Sequence, residues 1–401
     1  MTTDTPDLSA VPELRIPAPH DSGCPFDPSP SYQELAPASR VSLWDGSQCW
    51  LLTGYPQVRA VLTDRRFSAD ARHPNFPFVT PGRRELVGEQ PNFLRLDDPE
   101  HSRLRRMLTT DFLVKKVEAM RPDIQRIVDR ALDAMIEHGS PADLVAEFAL
   151  PVPSLVICDL LGVPYADHDF FQQQSRLLLN SEVPAETVKA ALDALTDYLT
   201  ELAASKRCAP DGILARLAAR DDLTADEVAS NGLLLLIAGH ETTANMTSLS
   251  TLALLREPAQ LERLRAEPTL IRGAVEELLR YLSIVRSGLP RIALEDVELP
   301  GGVTVRAGEG VVCMIATANR DEALFPAGGE LDVERDARRH LAFGFGVHQC
   351  LGQPLARAEL QIALETLLRR LPTLRLAIPF EEVPFRTEML IYGVRELPVA
   401  W

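Results

Sequence analysis

Cys350 lies in the run Phe343-Gly344-Phe345-Gly346-Val347-His348-Gln349-Cys350-Leu351-Gly352, a glycine-kinked loop that leads into a helical pattern. Gly344 and Gly346 can take positive φ angles and bend the chain tightly, while Gly352 leaves room for a flat ligand to approach. Leu355, Leu360, Ile362, Leu364 and Leu367 then recur at a roughly helical period, which puts Cys350 at a helix N-terminus. The free N–H groups and partial positive charge of such an end favour a thiolate over a thiol, so an ionised sulfur able to ligate iron is expected there.

Three further groupings carry polar chemistry. In Leu233-Leu-Leu-Leu-Ile-Ala-Gly-His-Glu-Thr-Thr-Ala-Asn245 an apolar helix turns polar in its middle. Gly239 weakens that helix, and Thr242 or Thr243 can bond a carbonyl one turn back, so a local opening able to hold water is expected. Glu277 and Arg280 are three apart, on one helix face. His101 and Arg105 are four apart and can point the same way, so that two donors clamp one anion.

The cysteine run matches Phe-x-x-Gly-x-His-x-Cys-x-Gly through Phe343, Gly346, His348, Cys350 and Gly352, and so resembles the haem-binding loop of the cytochrome P-450 family. The resemblance extends over most of the chain from about Cys24 onward. It implies a mainly α triangular fold with a small β region, a haem b held by the Cys350 thiolate, and Phe343, Gly344 and Gly352 beside the haem. A thiolate ligand in this family pushes electron density toward O–O cleavage.

Other roles follow from the same resemblance. The Ala-Gly-x-Glu/Asp-Thr pattern implies that Ala238 and Gly239 make room for O2, that Thr242 hydrogen-bonds the oxygen under reduction, and that Glu241 relays protons. An acid beside an alcohol suits that task, because cleaving O–O needs protons at the distal oxygen while bulk water must be kept away. His101, Arg105, Arg291 and His348 are implied as contacts to the haem propionates, the arginines being suited to bidentate bonding. Glu277, Arg280 and Arg335 are implied as a buried structural network behind the haem. The sequence leaves the loop Phe325–Glu330 ahead of Arg335 open.

The expected pocket is lined by the loop Arg72–Phe78, with His73, Phe76 and Phe78, and by Phe93, Leu94, residues 170–188, Leu235, Leu289 and Ile391. These are mostly large and apolar, which points to a lipophilic substrate. The expected reaction is insertion of one oxygen atom from O2 into an unactivated C–H bond. A polyketide or macrolide of polyene type is the leading substrate class, and a sterol-like or xenobiotic compound is the alternative. His73 is either a loop or substrate-contacting side chain or a group that reaches the iron in the empty enzyme.

The elements that position these groups read as helices over 99–111, 121–138, 223–255, 268–281 and 354–370, with short strands near 49–53, 303–305 and 310–314. The 401 residues show no internal repeat or long linker, so one domain over 1–401 is expected, with residues 1–24 an extended tail holding acids and seven prolines within the first thirty positions. A hydrophobic fraction of 46% supports a large core, and a net charge of −16 argues against a nucleic-acid partner. Six cysteines without a Cys-x-x-Cys pair point to a reducing, cytoplasmic setting. No apolar run nears the roughly 20 residues of a membrane span, so no membrane anchor is expected.

No flavin or cysteine-cluster domain is evident, so electrons from NAD(P)H are expected to arrive through a separate ferredoxin and ferredoxin reductase. The basic groups expected to steer the ferredoxin are Arg103, Arg106, Arg338 and Arg339, on a monomer. Two other function classes are weaker. A haem-based gas sensor would need Cys350 but not Glu241 and Thr242. A zinc hydrolase built on His240-Glu241 lacks its second histidine, since Ala244 holds that position.

Overall fold

The computed structural model describes residues 14–16, 18, 24–85, 92–205 and 207–401. Its organising element is the helix Ala225–Arg256. At 32 residues it runs roughly 48 Å at 1.5 Å per residue. A capping box starts it, with the Thr224 side chain accepting from Glu227 N–H and the Glu227 carboxylate accepting from Thr224 N–H. Pro258 follows shortly after its end and opens the next helix, Pro258–Ala266.

The long helix packs against Pro151–Leu161, Ala185–Ala204 and Gln353–Arg370, and Gln353–Arg370 packs in turn on Val114–His138. Because neighbours surround it, its second half is buried on every side, including Thr243, Asn245, Thr247, Ser248, Ser250 and Thr251. Buried hydroxyls need acceptors, and Thr247, Ser248 and Thr251 donate to carbonyls one turn back at 2.9–3.0 Å. Two close approaches depend on glycine. A Cβ on Gly239 would stand 2.7 Å from Ile157, and one on Gly393 would stand 2.0 Å from Asn245 Oδ1.

A five-stranded sheet lies to one side, in the order Ala38–Ser42, Gln48–Leu52, Gly310–Cys313, Leu289–Ala293 and Phe67–Ser68. Only the contact between Gln48–Leu52 and Gly310–Cys313 is parallel, with Trp50 opposite Val311. Arg40 pairs across from Trp50, stacks on its ring at 4.9 Å, and shares Glu309 with the Trp50 indole. The last described part of the N-terminal stretch is not a free tail. Leu14 N–H donates to Ser42 carbonyl at 2.9 Å, and Ile16 is buried against Tyr32, Val41 and Leu51. The rest of the stretch expected to be an extended tail lies largely outside the described residues.

The expected elements appear with shifted ends. Pro99–Asp111 becomes Glu100–Thr109 plus a tighter turn over Thr110–Phe112, and the segment from Arg121 starts earlier, at Val114, with Pro122 inside the helix. The helix Ile271–Leu282 buries one turn of charge: Arg280 donates to both oxygens of Glu277 at 2.7 and 2.8 Å, and both side chains are fully buried. Arg335 adds a third contact to Glu277 at 3.2 Å. The loop that the sequence left open wraps these guanidiniums, with Gly328 and Glu330 carbonyls accepting from Arg280 and Pro326 and Ala327 carbonyls from Arg335.

Removing one partner from such a set leaves buried charge uncompensated, so Glu277→Ala is expected to cost about 3–5 kcal/mol. Loss of the helix cap in Thr224→Ala should cost about 1 kcal/mol. Denaturant unfolding of the two variants side by side checks the ranking, and a Glu277→Ala midpoint no lower than that of Thr224→Ala would contradict it.

Candidate active site

The cysteine loop is shaped by its glycines. Gly344 and Gly346 sit at φ of 68° and 73°, and a Cβ on Gly346 would stand 2.2 Å from the Leu62 carbonyl oxygen, so only glycine fits there. The loop closes on itself where Cys350 N–H donates to Phe343 carbonyl at 2.8 Å. Gln353–Arg370 begins three residues after Cys350. A Cβ on Gly352 would meet nothing nearer than Phe112, at 3.9 Å.

Two tethers hold this loop, and the sequence suggested neither. Glu276 accepts from Arg357 at 2.7 and 2.9 Å and from His340 at 3.1 Å, joining the chain before the loop to the helix after it. Burial opposes ionisation of Glu276, but the His340 and Arg357 hydrogen bonds prevail and hold it down to about 2. Asn319 is the second tether, fully buried. Its side chain accepts from Leu341 N–H at 2.7 Å, and its carbonyl accepts from Arg280 at 2.9 Å. The network around Glu277 is thereby linked to the cysteine loop.

The Cys350 side chain is open to the space above the loop although it lies deep in the molecule. Burial pushes its thiol up, against the Gly352 and Gln353 N–H groups and the charges of Arg105 and Arg357. The helix-terminus N–H groups thus favour the thiolate as expected, and burial outweighs them.

His101, Arg105, Arg291 and His348 converge. The His101 and His348 rings are 4.3 Å apart, Arg105 donates to Gln349 carbonyl at 2.6 Å, and Arg291 is buried on the strand Leu289–Ala293. His101 Nε2 and His348 Nδ1 are buried with no hydrogen-bond partner. Burial, with Arg291 next in weight, pushes His348 down to about 3, and burial also lowers His101. Positive charge in this cluster thus rests on the arginines, and His101 is oriented by its Nδ1, which faces the Asp98 carboxylate at 3.3 Å. Unpartnered ring nitrogens grouped with two guanidiniums beside a cradled cysteine fit a planar group that carries carboxylates at one edge and a metal at its centre.

A cavity of about 300 Å³ is lined on one side by Leu233, Leu234, Ile237, Ala238 and Thr242 of the long helix. Phe76, Phe78, Leu94, Leu178, Leu179 and Ile391 line it elsewhere. Thr242 donates to the Ala238 carbonyl at 2.7 Å at the cavity wall, and the helix runs unbroken through this turn, without the opening expected from the sequence. Glu241 is buried, 3.4 Å from Arg386 and 3.8 Å from Arg176, and Arg176 is itself 47% exposed and so reaches solvent. His240 is packed rather than open: its Nδ1 faces the Leu236 carbonyl at 2.6 Å and its ring meets Phe171 edge-on.

Four expected positions lie elsewhere. Gly239 faces Ile157 on the neighbouring helix, so its missing side chain serves helix packing and not the cavity. Leu235 is in the core, and Leu234 takes its place at the wall. Leu289 packs with the sheet-side core and approaches Gly344. His73 belongs to a turn between Asp70 and Phe76 and does not line the cavity. A fifth expected lining residue, Phe93, is buried beside His101 and does not line the cavity either.

The model of the family described as Cytochrome P450 matches residues 185–386. Cytochrome P450-SU2 of Streptomyces griseolus is 64% identical over 403 residues, covering 100% of this chain and 98% of that protein. Pentalenic acid synthase of Streptomyces avermitilis is 53% identical, covering 96% of each. A crystal structure of CYP105P1 in complex with filipin I superposes with a TM-score of 0.90 at 42% identity, covering 98% of this chain and 99% of that one. The chain belongs to the cytochrome P450 family, and it is a haem b monooxygenase that uses O2 and electrons from NAD(P)H delivered by redox partners.

The placement of Gly239 has a direct test. Gly239→Val overpacks the contact with Ile157 and should lose about 1–3 kcal/mol. Adding Ile157→Ala should recover part of that loss beyond what the two single effects sum to. Thermal unfolding of the two singles and the double checks this; strict additivity would place the side chain of residue 239 away from Ile157.

Proposed function

We propose that this monooxygenase hydroxylates a lipophilic secondary metabolite of macrolide or polyene type, with Cys350 as the iron ligand and Glu241 and Thr242 as the proton-delivering pair. What supports the residue roles is the presence of two features together: a glycine-shaped cysteine loop tethered at both ends, and a helix wall where Thr242 borders a largely apolar cavity. The likeness to a protein solved with filipin I, along 98% of this chain, supports the substrate class. Cys350 would hold the haem iron, with the propionates on Arg105, Arg291, His101 and His348. Bound there, the haem supplies the iron at which O2 takes two electrons and two protons, one oxygen atom entering a C–H bond and the other leaving as water.

The protein's own part is to position and to supply protons. Ala238 and Thr242 border the space beside the substrate, and the Thr242 hydroxyl can turn from the Ala238 carbonyl toward a reacting oxygen. Glu241 draws protons from solvent past Arg176, whose half-exposed guanidinium bridges the buried carboxylate and the surface. The apolar lining keeps out bulk water that would otherwise drain reducing equivalents into peroxide.

Electrons enter on the cysteine side. Of the arginines expected to receive a ferredoxin, Arg103 is ion-paired with Glu227 and Arg338 with Asp336, which leaves those two poor attractors, while Arg106 bonds only the Ser102 carbonyl and Arg339 is exposed with no ion pair among the described residues. Better supported is the cleft lined by Val114, Arg272, Gln353 and Pro354, three residues along the chain from Cys350. Leu113 and Val114, 51% and 64% exposed, form its apolar rim, with Lys115, Lys116 and Arg272 exposed around it. An acidic ferredoxin and its reductase are the proposed donors, serving a cytoplasmic monomer.

Three measurements test these assignments. Cys350→His should abolish the red-shifted Soret band of the reduced carbon monoxide complex, and a retained band would remove Cys350 as ligand. Thr242→Ala should keep that band but raise peroxide formed per NAD(P)H by about tenfold or more, as expected for loss of a general acid–base partner; unchanged coupling would exclude the role. Reversing Lys116 and Arg272 to Glu should slow reduction by ferredoxin in a salt-dependent way, and an unchanged rate would move the docking site elsewhere.

A further inference from the structure

The mostly apolar cavity wall carries a cluster of arginines that the oxygen chemistry does not use. Arg72, Arg83 and Arg95 all line it. Arg72 is neutralised by Asp70, which accepts from it at 2.5–3.1 Å. Arg83 and Arg95 have no acid partner among the described residues. The charged groups that act on Arg95 are two more arginines, Arg83 and Arg291, and its guanidinium lies 5.7 Å from the Phe76 ring centre.

Burial together with this crowding pulls Arg95 down to about 9, and burial alone lowers Arg83. A guanidinium stays charged in proteins. Two desolvated like charges without a counter-ion among the described residues are unfavourable, and such an arrangement is relieved by a bound anion. Two haem propionates would match only two of the four guanidiniums Arg83, Arg95, Arg105 and Arg291, so positive charge would remain in excess, although Arg95 borders the His348 and Arg291 cluster.

The backbone holds these groups in place. Arg83 is carried by the short helix Pro81–Glu85, which is seated on Ala185–Ala204 through Gly82, whose Cβ would stand 3.0 Å from Val188. Arg95 ends a tight turn capped by Asn92, whose side chain accepts from Leu94 N–H at 3.1 Å. Guanidiniums fixed in this way present forked N–H donors that suit a carboxylate or a similar planar oxyanion.

We propose that Arg83 and Arg95 form an anion-recognition subsite, so that this enzyme selects lipophilic organic acids and anchors their ionised group while the apolar remainder lies along Leu234, Ile237 and Ala238. The inference rests on the monooxygenase reading of the cavity and narrows its substrate class. Anchoring one end of a flexible molecule also decides which C–H bond stands beside Thr242, so the subsite governs the position of hydroxylation as well as affinity.

The test uses the haem-loaded full chain and four probes of one chain length: dodecanoic acid, dodecanol, methyl dodecanoate and dodecylammonium. Binding is read from the shift of the Soret band at pH 7.5. Charged hydrogen bonds in an apolar site should favour the acid over the alcohol and the ester by about tenfold or more, with the ammonium the weakest. Arg83→Gln and Arg95→Gln should each shrink the preference for acid over alcohol, and Arg83→Lys should retain part of it.

Acid binding no tighter than alcohol binding, an ammonium that binds as well as the acid, or an Arg83→Gln variant that weakens acid and alcohol alike would each overturn the subsite. Should Arg95→Gln lose haem while Arg83→Gln keeps the acid preference, Arg95 serves the propionates and the proposal is likewise overturned. The monooxygenase reading is judged separately, from the Soret position of the reduced carbon monoxide complex of the unaltered protein.

Discussion

Two adjacent carboxylates on one turn of the helix Ile271–Leu282 carry the constraint on which the cysteine side depends. Glu277 is fully buried and accepts from Arg280 and Arg335, while Glu276 faces the next groove and accepts from His340 and Arg357. Neighbouring helical positions diverge by about 100°, so one turn addresses two separate structures. The first is the loop from Phe325 to Glu330, whose carbonyls close around the guanidiniums. The second is the cysteine loop, with His340 ten residues before Cys350 and Arg357 seven after it. A cysteine that must sit at a fixed height beneath a planar group cannot rest on a free glycine loop, and charged hydrogen bonds at both ends supply the missing stiffness.

The distal side follows a different logic. The long helix is buried all round, so its polar residues cannot be sorted by exposure. What separates Thr242 from Thr243 and Thr247 is that its hydroxyl bonds a carbonyl at a cavity wall, where Thr243 and Thr247 are enclosed by protein. Glu241 is one residue away but points toward Arg176 and Arg386. The two guanidiniums stand beside it as counter-charges in a buried place. The same contact ties it to a side chain that reaches solvent.

The sequence was legible where chemistry depends on fixed spacing along the chain. The cysteine loop, the positive φ of Gly344 and Gly346, the Glu277–Arg280 pair and the His101/Arg105 stripe are local patterns, and local geometry decides them. It was opaque where the third dimension decides. Glu276 looked like one more surface acid, since its partners His340 and Arg357 lie 64 and 81 residues away. Asn319 sits in no motif at all. Leu235 could not be told from Leu234 because a helix apolar on every face offers no moment to set its rotation. Gly239 was read toward the cavity for the same reason, whereas the close approach it permits is to Ile157.

The arginines show how charge can be misread when it is counted by position alone. Arg103 and Arg338 stood out because they follow or precede known elements, yet each is cancelled by an acid close in space, Glu227 and Asp336. Arg83 and Arg95 drew no notice in the sequence, lying in a stretch of ordinary loop composition, yet both line the cavity and neither has an acid partner among the described residues. On a chain with a net charge of −16, acids are plentiful, and a cation left unpaired in an apolar cavity is the less expected arrangement. Among the described residues that cation has no acid partner, and under the proposed subsite the substrate entering the cavity supplies one.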